Sequence, residues 1–110
     1  MTTPEGKVKA KVRAVLDRPE IWSFWPVPSG YQAATLDVLC CIKTPFERLT
    51  GTYGVEFFAI EVKRPDGKGR KAARQKDLIQ TLRMLSAKIF VIENDLGVEE
   101  LNQWIKQKLN

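Results

Sequence analysis

Three charged residues stand in stretches of the sequence that are otherwise apolar and typical of strands. Asp37 interrupts the run 36–39, and Glu61 and Lys63 stand two apart at the end of the run 55–63. A charge in an apolar strand is costly unless it is paired or binds a metal ion. If Asp37 lay beside Glu61, the two carboxylates would repel each other, and a divalent cation would relieve that repulsion. Oxygen ligands of this kind suit Mg²⁺ or Mn²⁺, so the pattern predicts a hard-metal centre.

Lys63 suits hydrolysis at such a centre. Residues two apart on a strand project from the same face, so Lys63 and Glu61 would share the solvent side while Val62 points to the core. A bound metal ion polarises a phosphate oxygen and lowers the pKa of water. The ammonium of Lys63 can position that water or stabilise the growing negative charge. The alternative is an ordinary solvated strand face, because Glu-X-Lys is a common tripeptide.

Several other chemistries are excluded by composition. The chain has no histidine, which removes Ser-His-Asp and Cys-His catalysis, His-ligated zinc and the His-Asn-His nucleases. Cys40 and Cys41 are adjacent and would point to opposite faces of a strand, so we expect reduced thiols. No apolar run approaches the roughly 20 residues of a membrane span, and residues 1–7 lack the apolar stretch of a secretory signal. A cytoplasmic protein with no membrane partner is therefore expected.

The hydropathy pattern predicts the elements that position these residues. The chain of 110 residues fits one domain, 1–110, of α/β class. The expected order is a helix from Thr3-Pro4, an edge strand in 21–28, strands 35–43 and 55–63 joined by a connection 44–54, a helix 71–87, a strand 88–93 and a last helix 98–109. The helix that joins the last two strands implies a parallel crossover.

Apolar side chains recur at helical spacing in each predicted helix. The expected core positions of the first and second helices are Val8, Val12, Val15, Leu16, Leu78, Ile79, Leu82 and Leu85. Those of the last helix are Val98, Leu101, Ile105 and Leu109.

The segment from Phe57 to Lys63, with Asp37 before it, resembles the Asp…Glu-X-Lys core of the PD-(D/E)XK nucleases. More closely, it resembles the VRR-NUC branch, which includes small stand-alone phage and bacterial proteins. Four further features are similar to that branch: Glu5 in the first helix, Gly30 before Ala34-Thr-Leu-Asp37, Gln75 a dozen residues after Lys63, and the closing strand Val91-Ile-Glu93. The similarity covers roughly residues 3–95. Leu36 departs from the family, which usually has proline there, but proline donates no ligand.

The resemblance implies a restriction-endonuclease-like α-β-β-β-α-β core, with a mixed sheet flanked by helices and a C-terminal helix outside it. It implies a divalent metal and hydrolysis of phosphodiester bonds. The metal ligands implied by the resemblance are Glu5, Asp37, Glu61 and the carbonyl of Val62. By the same resemblance Lys63 assists the attacking water, Gln75 orients near the site, and the protein is a homodimer in the cytoplasm of a bacterium or a phage-infected host.

Basic residues are concentrated beside the expected site. The net charge is +5, and the segment 63–76 contains seven basic residues and one acidic residue, Asp66. They are Lys63, Arg64, Lys68, Arg70, Lys71, Arg74 and Lys76. Such a segment suits a DNA backbone, with Arg64, Lys68, Arg70, Lys71 and Arg74 as the candidate contacts. The alternative is a solvated surface.

The expected function is a metal-dependent DNA endonuclease directed by structure, acting on branched, junction or flap DNA, because no base-reading element has a familiar pattern. A catalytically silent nucleic-acid-binding module and a phage or plasmid adaptor are the alternatives. Trp22, Phe24 and Trp25 could stack on bases, or fill the core or an interface. Trp104 could join the dimer interface, or its helix could cover one face of the sheet.

Overall fold

The protein is described by a computed structural model over residues 4–26, 36–47, 52–63 and 73–109. Within these ranges the chain forms three helices and a four-stranded mixed sheet, in the order expected from the hydropathy pattern. The helices are α1 (Pro4–Leu16), α2 (Ala73–Met84) and α3 (Asp95–Leu109). The strands are β1 (Ile21–Phe24), β2 (Val38–Glu47), β3 (Thr52–Val62) and β4 (Lys88–Ile92). None of the helices in these ranges has the length and apolar character needed to cross a membrane.

The strands lie across the sheet in chain order. β1 pairs antiparallel with β2 and β2 antiparallel with β3, whereas β4 pairs parallel with β3. The parallel pair confirms the crossover expected from the helix between β3 and β4. A helix in such a connection runs back against the strand it follows, so α2 begins at the end of the sheet where β3 ends. Lys63, the residue after β3, lies at that end.

One face of the sheet packs against α1 and α3. On α1, Val8, Val12 and Leu16 are buried, as their spacing predicted. Leu101 and Ile105 of α3 are fully buried with them. Alternate strand residues complete this cluster: Val38, Cys40, Ile42, Phe58, Ile60, Val62 and Ile92. Each such side chain contributes about 1.5–3 kcal/mol by leaving water, so this cluster holds the two helices to the sheet.

The opposite face of the sheet is partly covered by α2. Ala59 of β3 and Ile89 of β4 are buried there with Ile79 and Leu36. Glu61 follows Ala59 by two residues and therefore shares this face. Its exposed fraction is 3%, so the expectation that Glu61 lies on the solvent side is wrong. At this end of the face, Ile79 of α2 and Leu36 pack on Ala59, the residue two before Glu61.

The hairpin formed by β2 and β3 is longer than the sequence indicates. Both strands extend into the stretch 44–54, which the sequence predicts as a connection, and a register shift lies between Pro45 and Glu47. The register of β1 reaches only Ile42, with one further bond from the N–H of Lys43 to Glu20. Among the described strands, β3 alone therefore borders β2 at Pro45. An edge position tolerates proline because one side of the strand needs no donor.

The C-terminus of α2 also differs from the expectation. The helix ends at Met84, and the N–H of Ala87 donates to the carbonyl of Leu82 at 2.9 Å, while Ser86 donates to Arg83 at 3.0 Å. These two bonds form a Schellman motif, in which the residue after the cap adopts a left-handed conformation. Ser86 is that residue, with φ 68°. Leu85, which the sequence predicts as a core position, is exposed.

Candidate active site

Asp37 lies in a bend immediately before β2, not within the strand as its apolar neighbours predicted. The last backbone pair between the two strands joins Val38 to Ile60. One step further, the N–H of Val62 donates to Oδ2 of Asp37 at 2.7 Å. The carboxylate thus takes the place of a backbone carbonyl at the end of the ladder. This bond fixes the Asp37 side chain relative to the end of β3.

Glu61 is joined to the same bend by a second hydrogen bond. The backbone N–H of Asp37 donates to Oε1 of Glu61 at 3.3 Å. The two acidic residues therefore meet through the backbone of one and the side chain of the other. A buried carboxylate needs compensation of this kind, since loss of hydration is unfavourable for a charged group. Asp37 and Glu61 are therefore in contact, through a backbone N–H of the first and the carboxylate of the second, while the meeting of two carboxylates around a metal ion stays a prediction.

The Val62 carbonyl is directed to the same side as Asp37. In a strand, the N–H and C=O of one residue point to the same neighbour, and the Val62 N–H points to Asp37. The backbone of Lys63 points the opposite way, toward β4, because the Lys63 N–H donates to the carbonyl of Ile92 at 2.8 Å. The backbone of Lys63 is therefore held by β4 while its side chain is exposed on the Glu61 side of the sheet.

Glu5 reaches this site through a lysine that the sequence reasoning missed. Lys9 lies one helical turn after Glu5 on α1, and its Nζ is 3.2 Å from Oε1 of Glu5. The same Nζ is 3.7 Å from Oδ1 of Asp37. In the sequence, Lys9 is one of several lysines on α1, and its spacing from Glu5 indicates only an ordinary helical ion pair. Its contact with Asp37 depends on how α1 packs against the sheet.

Gln75 lies in the first turn of α2 and is half-buried. It precedes Ile79 by four residues and so lies on the same helix face. Ile79 packs with Leu36, the neighbour of Asp37, and with Ala59, two residues before Glu61. Gln75 is therefore one helical turn closer than Ile79 to the end of the sheet where β3 ends. The orienting role that the resemblance implies for Gln75 stays a prediction.

The donor set fits a hard divalent cation in its chemistry. Asp37, Glu61 and the Val62 carbonyl are oxygen donors, as Mg²⁺ and Mn²⁺ prefer. The site already attracts a cation, because the ammonium of Lys9 lies against Asp37 and Glu5. Over the described residues, no three histidine, cysteine or acidic side chains lie close enough together to form a metal-binding group. Lys9 bridges Glu5 and Asp37, and Glu5 does not form a three-carboxylate group with Asp37 and Glu61.

Most of the expected DNA-binding residues fall outside the described part of the chain. Arg64, Lys68, Arg70 and Lys71 lie there, and so does the side chain of Arg74. Gly30, part of the family resemblance, also lies outside. Within the described residues, Lys63 and Lys76 are exposed at the ends of the segment.

The aromatic residues divide into two groups. Trp25 is half-buried, with the Arg13 guanidinium 3.8 Å from its ring centroid. Trp104 is half-buried against Phe58, with ring centroids 5.0 Å apart, so α3 covers one face of the sheet as the alternative interpretation held. By contrast, Trp22 and Phe24 are 61% and 49% exposed.

Trp22 and Phe24 belong to a larger surface that we call the open apolar face, formed by Trp22, Phe24, Val55 and Phe57. In the sheet register, Cys41 opposes Trp22 on one side and Phe57 on the other. Phe57 shares its side of β3 with Glu61, since the two are four positions apart on the strand. The open apolar face is thus on the same side of the sheet as the candidate site.

Both cysteines are free thiols, as expected. Cys40 belongs to the cluster under α1 and α3, and burial raises the pKa of its thiol to about 12, with a further contribution from Cys41. A thiol with a raised pKa is a poor nucleophile at neutral pH. Cys40 therefore takes no part in the candidate site.

Comparisons with known proteins add no relative: no family model, no curated protein and no solved structure matches the chain.

Proposed function

We propose that this protein is a Mg²⁺- or Mn²⁺-dependent nuclease of the PD-(D/E)XK type, in its VRR-NUC branch, that hydrolyses phosphodiester bonds in DNA. The observation that carries the proposal is the junction of Asp37 with Glu61, 24 residues apart in the chain, beside the exposed Lys63. The α/β class, the mixed sheet and the helical crossover are compatible with the α-β-β-β-α-β core of that superfamily. Asp37 and Glu61, which the family motif includes, are in contact, and this contact supports the proposal.

In this proposal Asp37, Glu61 and the Val62 carbonyl hold the metal ion, and Glu5 completes the acidic environment. When bound, the ion supplies Lewis-acid stabilisation of charge at the phosphate and a more readily ionised water. Asp37 is suited to this because the Val62 N–H holds its Oδ2 at 2.7 Å and keeps the carboxylate in place. Glu61 is suited because burial among apolar side chains lowers the local dielectric and strengthens its attraction for a cation.

Lys63 acts on the reacting groups and not as a ligand. Its backbone is anchored to Ile92 of β4, while its side chain extends into solvent beside Glu61. An ammonium there can hold the attacking water by hydrogen bonding and stabilise the negative charge that develops on the phosphate. Gln75, one turn before Ile79, orients groups at the edge of the same site.

DNA is the proposed substrate because the chain is basic and its basic residues cluster in 63–76. The net charge of +5 favours a polyanion, and backbone phosphates supply most of the sequence-independent affinity for such proteins. Within the proposal, Arg64, Lys68, Arg70, Lys71 and Arg74 contact phosphates on either side of the bond that is cleaved. No base-reading pattern accompanies them, so the proposed selectivity is for branched structure.

The proposal includes a homodimer formed through the open apolar face. Trp22 and Phe24 stack nearly parallel, with an interplanar angle of 9° and centroids 6.2 Å apart. Exposed aromatic residues are enriched at protein interfaces, and a contiguous exposed apolar surface marks an interaction site. A two-fold pair would present two active centres to the two strands of a branched DNA. Trp104 is removed from this interface, since it packs against Phe58.

The test of activity uses labelled duplex, single-stranded, flap and four-way-junction DNA with Mg²⁺ and with Mn²⁺. Wild type should cleave, branched substrates fastest, and Asp37→Asn and Glu61→Gln should be inactive. Glu56→Gln is the matched control, because Glu56 pairs with Lys108 at 2.8 Å and belongs to none of the site contacts described above. Binding of DNA without cleavage under both metals would favour the silent binding module, and failure to bind DNA would favour the adaptor.

The dimer is tested separately by light scattering at micromolar concentration. Trp22→Ser with Phe24→Ser should convert the dimer to a monomer, whereas Leu96→Ser, which removes an exposed apolar residue from α3, should not. Cys41 provides a second measurement because it lies between Trp22 and Phe57 in the register. Its alkylation should become slower as protein concentration rises. A wild-type protein that scatters as a monomer at all concentrations would remove the dimer and leave the metal site standing.

A further inference from the structure

The ammonium of Lys9 lies between two of the acidic residues proposed to form the metal environment. Its Nζ is 3.2 Å from Glu5 and 3.7 Å from Asp37, and the three side chains are between 25% and 34% exposed. The pair with Glu5 is an ordinary helical ion pair. The pair with Asp37 is not, because it joins α1 to the bend before β2.

The particular oxygen that Lys9 approaches is important. Oδ2 of Asp37 accepts the hydrogen bond from Val62, while Lys9 lies against Oδ1. Oδ1 does not accept the Val62 bond, so it has more free lone pairs for a cation than Oδ2 has. Lys9 and a metal ion therefore compete for the same oxygen.

We infer that Lys9 is a built-in counter-ion that occupies the acidic site when no metal is bound and moves aside when one binds. This inference rests on the proposed function and deepens it by naming what regulates metal affinity. Like charges in the metal-free site are relieved by the ammonium, which stabilises the folded chain before metal arrives. The same ammonium opposes a divalent cation, so it raises the metal concentration at which the site fills.

Removing the charge should separate these two effects. Lys9→Met keeps most of the length and apolar character of the side chain but loses the ammonium. Each of these partly exposed ion pairs has a modest strength, so Lys9→Met should bind Mn²⁺ about 3- to 10-fold more tightly than wild type. Without metal, the variant should unfold at a lower temperature, and saturating Mn²⁺ should close that gap.

Lys11→Met is the matched control for net charge. Lys11 lies on the same helix and pairs with Asp95 of α3, so its replacement also removes one charge and one ion pair. Its Mn²⁺ affinity should remain at the wild-type value. Lys9→Arg retains the positive charge and should also fail to tighten binding.

The experiment is Mn²⁺ titration by calorimetry without DNA, in about 0.15 M salt to screen distant charges, with melting temperatures measured in parallel. Equal Mn²⁺ affinity of wild type and Lys9→Met, or weaker binding by the variant, would overturn the counter-ion role while the metal site stands. Binding by Lys9→Met alone would support the role strongly. If neither protein bound Mn²⁺ or Mg²⁺, the metal site itself would be wrong, and the counter-ion role with it.

Discussion

The backbone N–H of Asp37 donates to the carboxylate of Glu61 at 3.3 Å, and this bond joins the bend before β2 to the end of β3. Its counterpart runs from the Val62 N–H to Asp37 at 2.7 Å. The reciprocal pair closes the open end of the ladder between β2 and β3. Structure and proposed chemistry therefore depend on the same carboxylate, which has direct consequences for mutants.

Asp37→Asn and Asp37→Ala should differ in stability while sharing a loss of function. Asparagine keeps an oxygen that can accept the Val62 N–H, whereas alanine leaves this donor without its partner, at a cost of about 1–3 kcal/mol. Alanine should therefore destabilise the metal-free protein more than asparagine does. Denaturant unfolding measures the difference, and calorimetry should show that neither variant binds Mn²⁺. Cleavage by Asp37→Asn at the wild-type rate would show that the site is misassigned.

Lys63→Ala should lose rate without losing metal. The side chain is exposed and its backbone remains bonded to Ile92, so the fold should not change. Removing one group that stabilises a developing negative charge typically lowers kcat by about 100- to 1000-fold. Single-turnover cleavage measures the rate, and Mn²⁺ titration measures the affinity of the site for the metal ion. Loss of Mn²⁺ binding by Lys63→Ala would contradict the division of roles between Lys63 and the two acids.

The basic segment should govern the salt dependence of DNA binding. Changing Arg70, Lys71 and Arg74 together to alanine should weaken binding, and each lost phosphate contact should reduce the slope of log K against log salt by roughly 1. Fluorescence anisotropy over a series of salt concentrations measures the slope. Lys106→Ala, on the exposed side of α3, is the control. An unchanged slope in the triple variant would assign these residues to a solvated surface.

Ser86→Gly should stabilise the protein. Ser86 has φ 68° at the end of α2, a conformation that costs a residue with a Cβ about 1 kcal/mol. Glycine adopts it freely, although greater freedom of the unfolded chain offsets part of the gain. The net effect should be about 0.5 kcal/mol, or about 2–4 °C in Tm. Ser86→Ala is the control and should show no gain, since alanine retains the Cβ.

Stability at alkaline pH should depend on Cys40. Burial raises the pKa of this thiol from 9.0 to about 12, so the folded protein retains a proton that the unfolded chain loses. Its contribution is therefore complete below about pH 9 and is lost as pH rises toward 12, with a limiting slope of about 1.4 kcal/mol per pH unit. The difference between wild type and Cys40→Ala, measured by urea unfolding at pH 8, 9 and 10, isolates this slope. Parallel curves for the two proteins would rule it out.

Much of the fold could be predicted from local sequence patterns. The order of elements was correct because each depends on a short-range signal. Val8, Val12 and Leu16 recur at helical spacing, alternate residues along 55–63 share one side of a strand, and Pro26 follows the edge strand closely. The connection between β3 and β4 had to be a parallel crossover, since a helix lay between two strands. The meeting of Asp37 with Glu61 was also predictable, because charged residues in apolar runs must find partners.

The tertiary structure alone decided which surfaces are covered and which distant residues meet. Glu61 is buried although the strand pattern predicts that it lies on the solvent side, on a face that α2 and Leu36 cover in part. Trp22 remains exposed while Trp104 packs against Phe58, although both are tryptophans with apolar neighbours. Lys9 precedes Asp37 by 28 residues in the chain, and the two meet only because α1 packs beside the end of the hairpin. Periodicity within a segment specifies that segment's own faces, whereas contacts between segments depend on how their faces pack together.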